Sequence, residues 1–377
     1  MIYLDAAATT FQKPRSVVRA VERAFHTMTT PGRGGYQEAE LAAKTVFNCR
    51  SEAADLFHVP IEENVVFTSN ATHALNIAVK SLVRPGDTVV VSGYEHNAVM
   101  RPLYAIGHVR IKVASAPAFD QNAMLNAFAQ RITPEVKAVF CTHVSNVFGF
   151  ILPIEEIAAL CRNRGVPLVI DASQSAGVLN VNLQKSGAAF ICMPGHKGLY
   201  GPQGTGILLC NHAVKPLMEG GTGSMSALKE MPPQLPDRLE AGTQNIPGIA
   251  GLAEGLRFVR RIGIDTIAAH ERQLIRKLDT GLRELPEVRS FSASDARCQS
   301  GVLSFLIQGM DCERVADDFA HCGIAVRAGL HCAPLAHKTM GTMDTGTIRV
   351  SVSAFSNEWE IRAFLETLKG FLRRKNG

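Results

Sequence analysis

The sequence predicts an α/β protein, with a large domain on a mainly parallel seven-stranded sheet and a smaller α+β domain after it. Three observations point to this. Seven short apolar runs alternate with helical patterns before residue 250. Several of those runs are apolar throughout, as strands buried on both faces are. From Gly251 onward the alternation gives way to a long helical stretch and a different order of strands and helices. The expected division is 15–250 for the large domain and 251–377, together with 1–14, for the small one. A chain of 377 residues has room for both.

In order, the runs are NVVFT near 64, DTVVVSG near 87, VRIKVAS near 109 and AVFCTHVS near 138, then PLVIDAS, AAFICMP and GILLC. Helices between successive strands should cover both faces of the sheet. An amphipathic helix, roughly Ile249–Leu285, should break near Gly263. GVLSFLIQG follows, then a helix from Cys312 to about His321, GIAVRAG, TIRVSVSAF and a final helix from Asn357. Asn357 with Glu360 three residues on resembles a capping box, with Asn in place of Ser or Thr. No repeat or low-complexity linker separates the two parts, so they should pack tightly.

Hydrophobic content of 46% and charged content of 19% describe an ordinary globular chain. The formal charge of +5 is mild and its basic residues are dispersed, which argues against nucleic acid as the main partner. The exception, Arg373-Arg374-Lys375, reads as a cationic finish to the last helix. The start, MIYLDAAATT, lacks the pattern of a signal peptide. No stretch approaches the ~18 apolar residues of a membrane span. Nine cysteines form no CxxC pair, and no metal site is expected. Cys141, Cys192 and Cys210 lie inside apolar runs and read as buried, reduced packing residues of a cytoplasmic protein.

The chemistry concentrates between Val166 and Gly206. VPLVID ends in Asp171, with Gln174 three residues later; AAFICM leads to His196-Lys197 and the Gly-rich GLYGPQGTG. Ligands of open α/β sheets sit outside the carboxyl ends of strands, where this acid and this amine fall. An aldehyde cofactor such as pyridoxal 5′-phosphate (PLP) needs the pair: a lysine for the Schiff base and an acid that keeps the ring nitrogen protonated. Taken singly, a solvated lysine and a turn aspartate are the ordinary explanations. Upstream, VVFT is followed by Ser69-Asn70-Ala71-Thr72-His73 and a helical stretch. That turn exposes amides at a positive helix end, so Ala71 and Thr72 are candidate phosphate contacts. His96 follows DTVVVSG, where an imidazole could stack on a planar ring and relay protons. Asn146 follows AVFCTHVS at the same sheet edge.

A wider set of motifs appears in order: AAATT at 6–10, GRGGY at 32–36, EH at 95–96, SNVFG at 145–149, DASQ at 171–174, GHK at 195–197, EAGT at 240–243, RAGLHC at 327–332 and IRVS at 348–351. With this set the sequence resembles the PLP-dependent cysteine desulfurases and selenocysteine lyases of the class V aminotransferase group, fold type I. The resemblance implies that Lys197 holds the cofactor, Asp171 pairs with its ring nitrogen, Gln174 bonds its phenolic oxygen and His96 stacks over it. It gives Thr72 and His196 the phosphate, and implies a homodimer in which Thr243 reaches the partner subunit's phosphate. Asn146 and Arg349 would hold the substrate carboxylate, with Arg327 a further contact and Arg33 a candidate from a nearby loop.

Two departures stand out against that pattern. Pro194 replaces a phosphate-binding serine, and proline has neither N–H nor hydroxyl. Leu330 replaces a histidine, which leaves His331 without an assigned role.

Cys332 differs from the other cysteines in lying in a Gly- and Pro-marked loop beside Arg327, where positive surroundings favour a thiolate. The resemblance makes it the persulfide-forming residue. The implied reaction takes L-cysteine to L-alanine: Lys197 removes the Cα proton, and Cys332 attacks the substrate sulfur. Only 15 residues separate Cys332 from Ile348, which resembles the subgroup with a short, fixed loop. An acceptor protein or thiol should then come to the site. The alternatives are a selenocysteine lyase acting on L-selenocysteine through the same residues, a class V aminotransferase, and a non-catalytic scaffold that kept the fold.

Overall fold

The structure is a computed structural model and describes residues 1–32 and 34–376, the side chains of 374–376 excepted. A two-residue strand β1 (Ile2–Tyr3) and helices α1 (Arg15–Thr27) and α2 (Gln37–Phe57) precede the first apolar run. The seven runs then form β2 (Val65–Thr68), β3 (Thr88–Ser92), β4 (Arg110–Ala114), β5 (Val136–Thr142), β6 (Leu168–Asp171), β7 (Phe190–Pro194) and β8 (Gly206–Cys210). Between them lie α3 (Ala71–Leu82), α4 (Asn97–Ile106), α5 (Gln121–Arg131), α6 (Ile154–Asn163) and the short α7 (Leu183–Ser186).

These strands make one seven-stranded sheet in the order β2-β8-β7-β6-β5-β3-β4. Only β8 runs against its neighbours; the remaining pairs are parallel. Successive side chains on a strand point to opposite faces. Val90, Val139, Ile170 and Ile191 accordingly enter one apolar core, while Val89, Val91, Phe140, Val169 and Phe190 enter the other. That two-sided burial is why the runs are apolar without alternation. β4, at the edge, keeps Arg110 exposed and Lys112 half-buried. Chain order turns outward from β3 to β4 and then back through β5, so the carboxyl ends of β3 and β5 border the crevice where ligands bind in such sheets.

The expected long helix divides into α8 (Ile246–Ile262) and α9 (Ile264–Arg283) at Gly263, whose φ of +90° ends one and starts the other. The chain continues through β9 (Val288–Phe291), β10 (Val302–Ile307), α10 (Cys312–His321), β11 (Ile324–Ala325), β12 (Arg327–Gly329), α11 (Pro334–Met340), β13 (Thr347–Ser351) and α12 (Glu358–Asn376). An antiparallel four-stranded sheet, β12-β13-β10-β9, packs with α9, α10 and α12 around Leu278, Phe305, Phe319, Val350 and Phe364. β9 and α11 are elements the sequence pattern does not announce, since both are short and partly exposed. The capping box forms: the Asn357 amide donates to Glu360 Oε2 (2.9 Å) and the Glu360 amide to Asn357 Oδ1 (3.1 Å).

The first residues cross to this part of the chain. β1 and β11 form a parallel two-stranded sheet of their own, while Asp5 bridges to Ser351 of β13 and the Ala7 amide donates to Ser351 Oγ at 2.9 Å. All nine cysteines are free, and only Cys322 and Cys332 are exposed. Among the described residues no helix is long and apolar enough to cross a membrane.

Candidate active site

The carboxyl ends of β3, β5, β6 and β7 and the amino end of α3 enclose a cavity lined by Thr72, His96, Asn146, Asp171, Gln174, His196 and Lys197, among others. Seven of the residues that the sequence singles out, these six and Ala71, therefore meet Lys197 in one place. Asp171 is the last residue of β6 and is buried; the Ser173 amide donates to its Oδ1 at 2.9 Å, which sets the carboxylate's orientation. Lys197 follows the turn after β7. Burial is the main cause that lowers its pKa to about 8, and the Arg349 guanidinium adds to it, while Asp171 and Asp5 oppose the shift.

His96 caps α4: its Nδ1 accepts from the Ala98 amide at 3.0 Å, so the ring proton belongs on Nε2. Burial lowers its pKa, with Asp171 pulling the other way, and the ring faces the cavity neutral. Gln174 Nε2 spends one N–H on the Ala7 carbonyl (2.9 Å) and keeps a second.

Where α3 begins, Asn70 caps the helix by accepting from the His73 amide (2.9 Å). Ala71 and Thr72 lie in the first turn, where amides have no acceptor within the helix. His196 Nδ1 lies 3.0 Å from Thr9 Oγ1, and its pKa falls to about 4 through burial, then Lys197 and Lys13. It offers a neutral N–H rather than a cation. Pro194 ends β7 on the same wall, so no hydroxyl or amide is available there. Lys13, which the sequence reading passed over, fixes this turn: its Nζ donates to the His196 carbonyl at 2.9 Å and to Thr10 Oγ1 at 2.6 Å. Thr243 is not in this lining; it borders an adjoining cleft with Ser69 and His73. Arg33 lies outside the described residues.

Two further candidates, Arg327 and Arg349, stand outside this lining, on β12 and β13. Arg327 and Arg349 are register partners across these strands. Arg349 is buried; its Nη1 donates to the Asn146 carbonyl (2.9 Å) and its Nη2 to Asp5 Oδ1 (2.8 Å). Its Nε is buried with no partner among the described residues. Arg327, half-exposed, pairs with Asp5 Oδ2 at 2.8 Å.

Cys332 is exposed in the turn between β12 and α11. His331 and Cys332 both adopt left-handed backbone, with φ of +49° and +56°. Such conformations cost non-glycine residues roughly 1–2 kcal/mol each and need bracing. The bracing is present: the Asn97 amide donates to the Cys332 carbonyl (2.8 Å), and Asn146 Nδ2 donates to the His331 carbonyl (2.8 Å). His331 is buried against His337, and its Nε2 lies 3.0 Å from the Thr347 carbonyl, so Nε2 carries the proton. Burial, then Arg349, lowers its pKa to about 2. A neutral ring with its one N–H committed anchors the turn and cannot act as an acid there.

Two further residues escaped the sequence reading. Glu95 is buried, accepts from the Thr142 amide (2.7 Å) and contacts Ser92 Oγ, bracing β3 against β5; burial raises its pKa to about 7. Its signal was its place beside His96. Asp5 gave a weaker one, a carboxylate directly before the AAATT motif.

Comparison with known proteins places this geometry. The family model for class-V aminotransferases matches residues 2–364. A probable cysteine desulfurase of Methanothermobacter thermautotrophicus is 33% identical over 382 residues, covering 98% of this chain and 94% of its own. One from Xylella fastidiosa is 34% identical over 395 residues, covering 98% and 90%. Among solved structures, the apo form of a cysteine desulfurase from Thermococcus onnurineus matches with a TM-score of 0.91 at 30% identity, covering 99% of this chain and 94% of that one. An Escherichia coli cysteine desulfurase, as its S-sulfonic acid, matches with a TM-score of 0.86 at 26% identity, covering 99% and 94%.

Proposed function

The chain belongs to the class-V aminotransferase family, and we propose that it is a PLP-dependent cysteine desulfurase that converts L-cysteine to L-alanine and leaves a persulfide on Cys332. The observation that carries this is the bond from Asn146 to the His331 carbonyl. It ties the exposed Cys332 turn to the wall of the cavity that holds Lys197. In an aminotransferase or a scaffold a cysteine held in so strained a turn would have no task.

The residues present fit the cofactor. An inward-facing amine, a carboxylate, a neutral imidazole and a helix amino end with open amides are the partners of an aldehyde, a ring nitrogen, a ring face and a phosphate. When bound, the group supplies an electron sink for charge that develops at the substrate Cα. Arg349 and Asn146 then hold the substrate carboxylate, and Arg327 adds positive charge at the rim. Lys197, its pKa already lowered, takes the Cα proton as a general base. His96, with its proton on Nε2, covers one side of the cavity and is placed to move a proton. Cys332 Sγ attacks the substrate sulfur: an S–S bond forms, the Cβ–S bond breaks, and the bonding pair stays with the carbon fragment. That fragment gains protons and leaves as L-alanine.

Helix α11 occupies much of the spacer between Cys332 and β13, so the loop is short and ordered. Cys332 cannot carry sulfur far, and an acceptor protein or thiol comes to it. Persulfide turnover that is indifferent to added thiol would contradict this. We also read the chain as a homodimer, since Val18, Phe25, Leu41 and Phe47 on α1 and α2 are exposed. Nine free thiols suit a reducing cytoplasm. We place the change of domain at Gly263 rather than 250, because Ile249, Leu252 and Leu256 of α8 pack into the core of the large sheet.

Separate assays with L-cysteine and L-selenocysteine, on wild type and Cys332→Ala, test the reading. Alanine from L-cysteine that depends on Cys332 supports a desulfurase. Turnover of L-selenocysteine alone would favour the lyase, because selenium leaves with less need of nucleophilic attack.

A further inference from the structure

Antiparallel pairing of β12 and β13 sets two arginines side by side, an arrangement that repels unless an anion lies between them. Asp5 is that anion. It is buried at 7% exposure, and its backbone is fixed by the bridge to Ser351, two residues beyond Arg349 on β13. Its Oδ1 accepts from Arg349 Nη2 at 2.8 Å; its Oδ2 accepts from Arg327 Nη2 at 2.8 Å and from Arg327 Nε at 3.0 Å. Arg349 is further tied through Nη1 to the Asn146 carbonyl at 2.9 Å. Both terminal nitrogens are thereby anchored, while Nε stays buried and unpartnered. Two cations and one anion leave a single positive charge, enough for one more carboxylate.

We propose that Asp5 is a positioning residue for the substrate carboxylate. It acts through Arg349, holding the guanidinium so that its unpaired Nε and outer N–H groups meet that carboxylate. The inference rests on the proposed role of Arg349 and adds the residue that orients it. A charged hydrogen bond loses strength steeply when misaligned, and a swinging guanidinium would lose the bidentate geometry that makes arginine selective for carboxylates. Asp5 also keeps Arg349 from carrying an uncompensated charge in a buried position.

The test compares two unreactive ligands on the holoenzyme, L-alanine and L-alaninamide, which lacks the carboxylate. Asp5→Asn should weaken L-alanine by about tenfold or more, the scale of a lost charged hydrogen bond. L-Alaninamide should be unaffected within about twofold, and the KM for L-cysteine should rise more than kcat falls. Adding Arg349→Gln to Asp5→Asn should cost nothing beyond Arg349→Gln alone, because the two act on one contact. Should Asp5→Asn fail to fold, Asp5→Glu keeps the charge at a longer reach and should give a smaller loss confined to L-alanine. An unchanged affinity for L-alanine in either variant, or an equal loss for both ligands, would overturn the proposal. A wild type that released no alanine from L-cysteine, yet lost L-alanine binding in the variant, would overturn the proposed function and leave this inference standing.

Discussion

Lys197 lies in a field set by Arg349 on one side and by Asp171 and Asp5 on the other, and burial outweighs both. An amine with a pKa of about 8 is mostly charged at neutral pH and becomes a base as pH rises. Alanine release from L-cysteine should therefore climb with pH through about 8 and then level off. Because Arg349 helps to lower that pKa, Arg349→Gln should move the rising limb to higher pH; a limb that stays in place would remove Arg349 from the field at Lys197. Cys332→Ala should reduce alanine from L-cysteine by at least roughly 10³-fold, as loss of a nucleophile does, and L-selenocysteine turnover by far less. Asp171, Gln174, His96 and Lys197 were legible in the sequence because each follows an apolar run that ends at one sheet edge. Asp5 and Lys13 were not, since each works through contacts more than 180 residues away in sequence.

At the scale of elements, strand ends and helix caps were the readable features, and packing against a distant partner was not. The break at Gly263 and the Asn357–Glu360 box follow from local chemistry alone. Asn357→Ala should therefore cost about 1 kcal/mol of stability, seen as a lower denaturant midpoint with an unchanged slope. β9 and α11 gave no such signal, being short segments ordered by the sheet and the turn they adjoin. Neither did Glu271, which α9 buries against Gly301, where an added Cβ would fall 2.3 Å from Oε2. Burial raises its pKa to about 8, well above its value in an unfolded chain. A group raised in this way adds stability at low pH that is lost as pH climbs through about 8. The melting temperature should fall between pH 6 and pH 9 in the wild type and fall less in Glu271→Gln; equal slopes would show that Glu271 is not the source.

For the whole molecule, residues 1–10 link the large sheet to the four-stranded one, since Asp5 joins β12 and β13, and Thr10 Oγ1 donates to the His196 carbonyl at 3.0 Å beside Lys197. The site is thus shared between both halves, which is why its motifs are spread from AAATT to IRVS along the chain. Sedimentation should give twice the monomer mass, with Phe25→Asp or Phe47→Asp shifting it toward the monomer; a monomeric wild type would rule out the dimer. Passage of sulfur from L-cysteine to Cys332 can be read by mass spectrometry of the holoenzyme after L-cysteine is added without thiol. The peptide containing Cys332 should gain one sulfur atom, matched by alanine and reversed by a thiol. Alanine without that gain, or the added sulfur on any other cysteine, would contradict it.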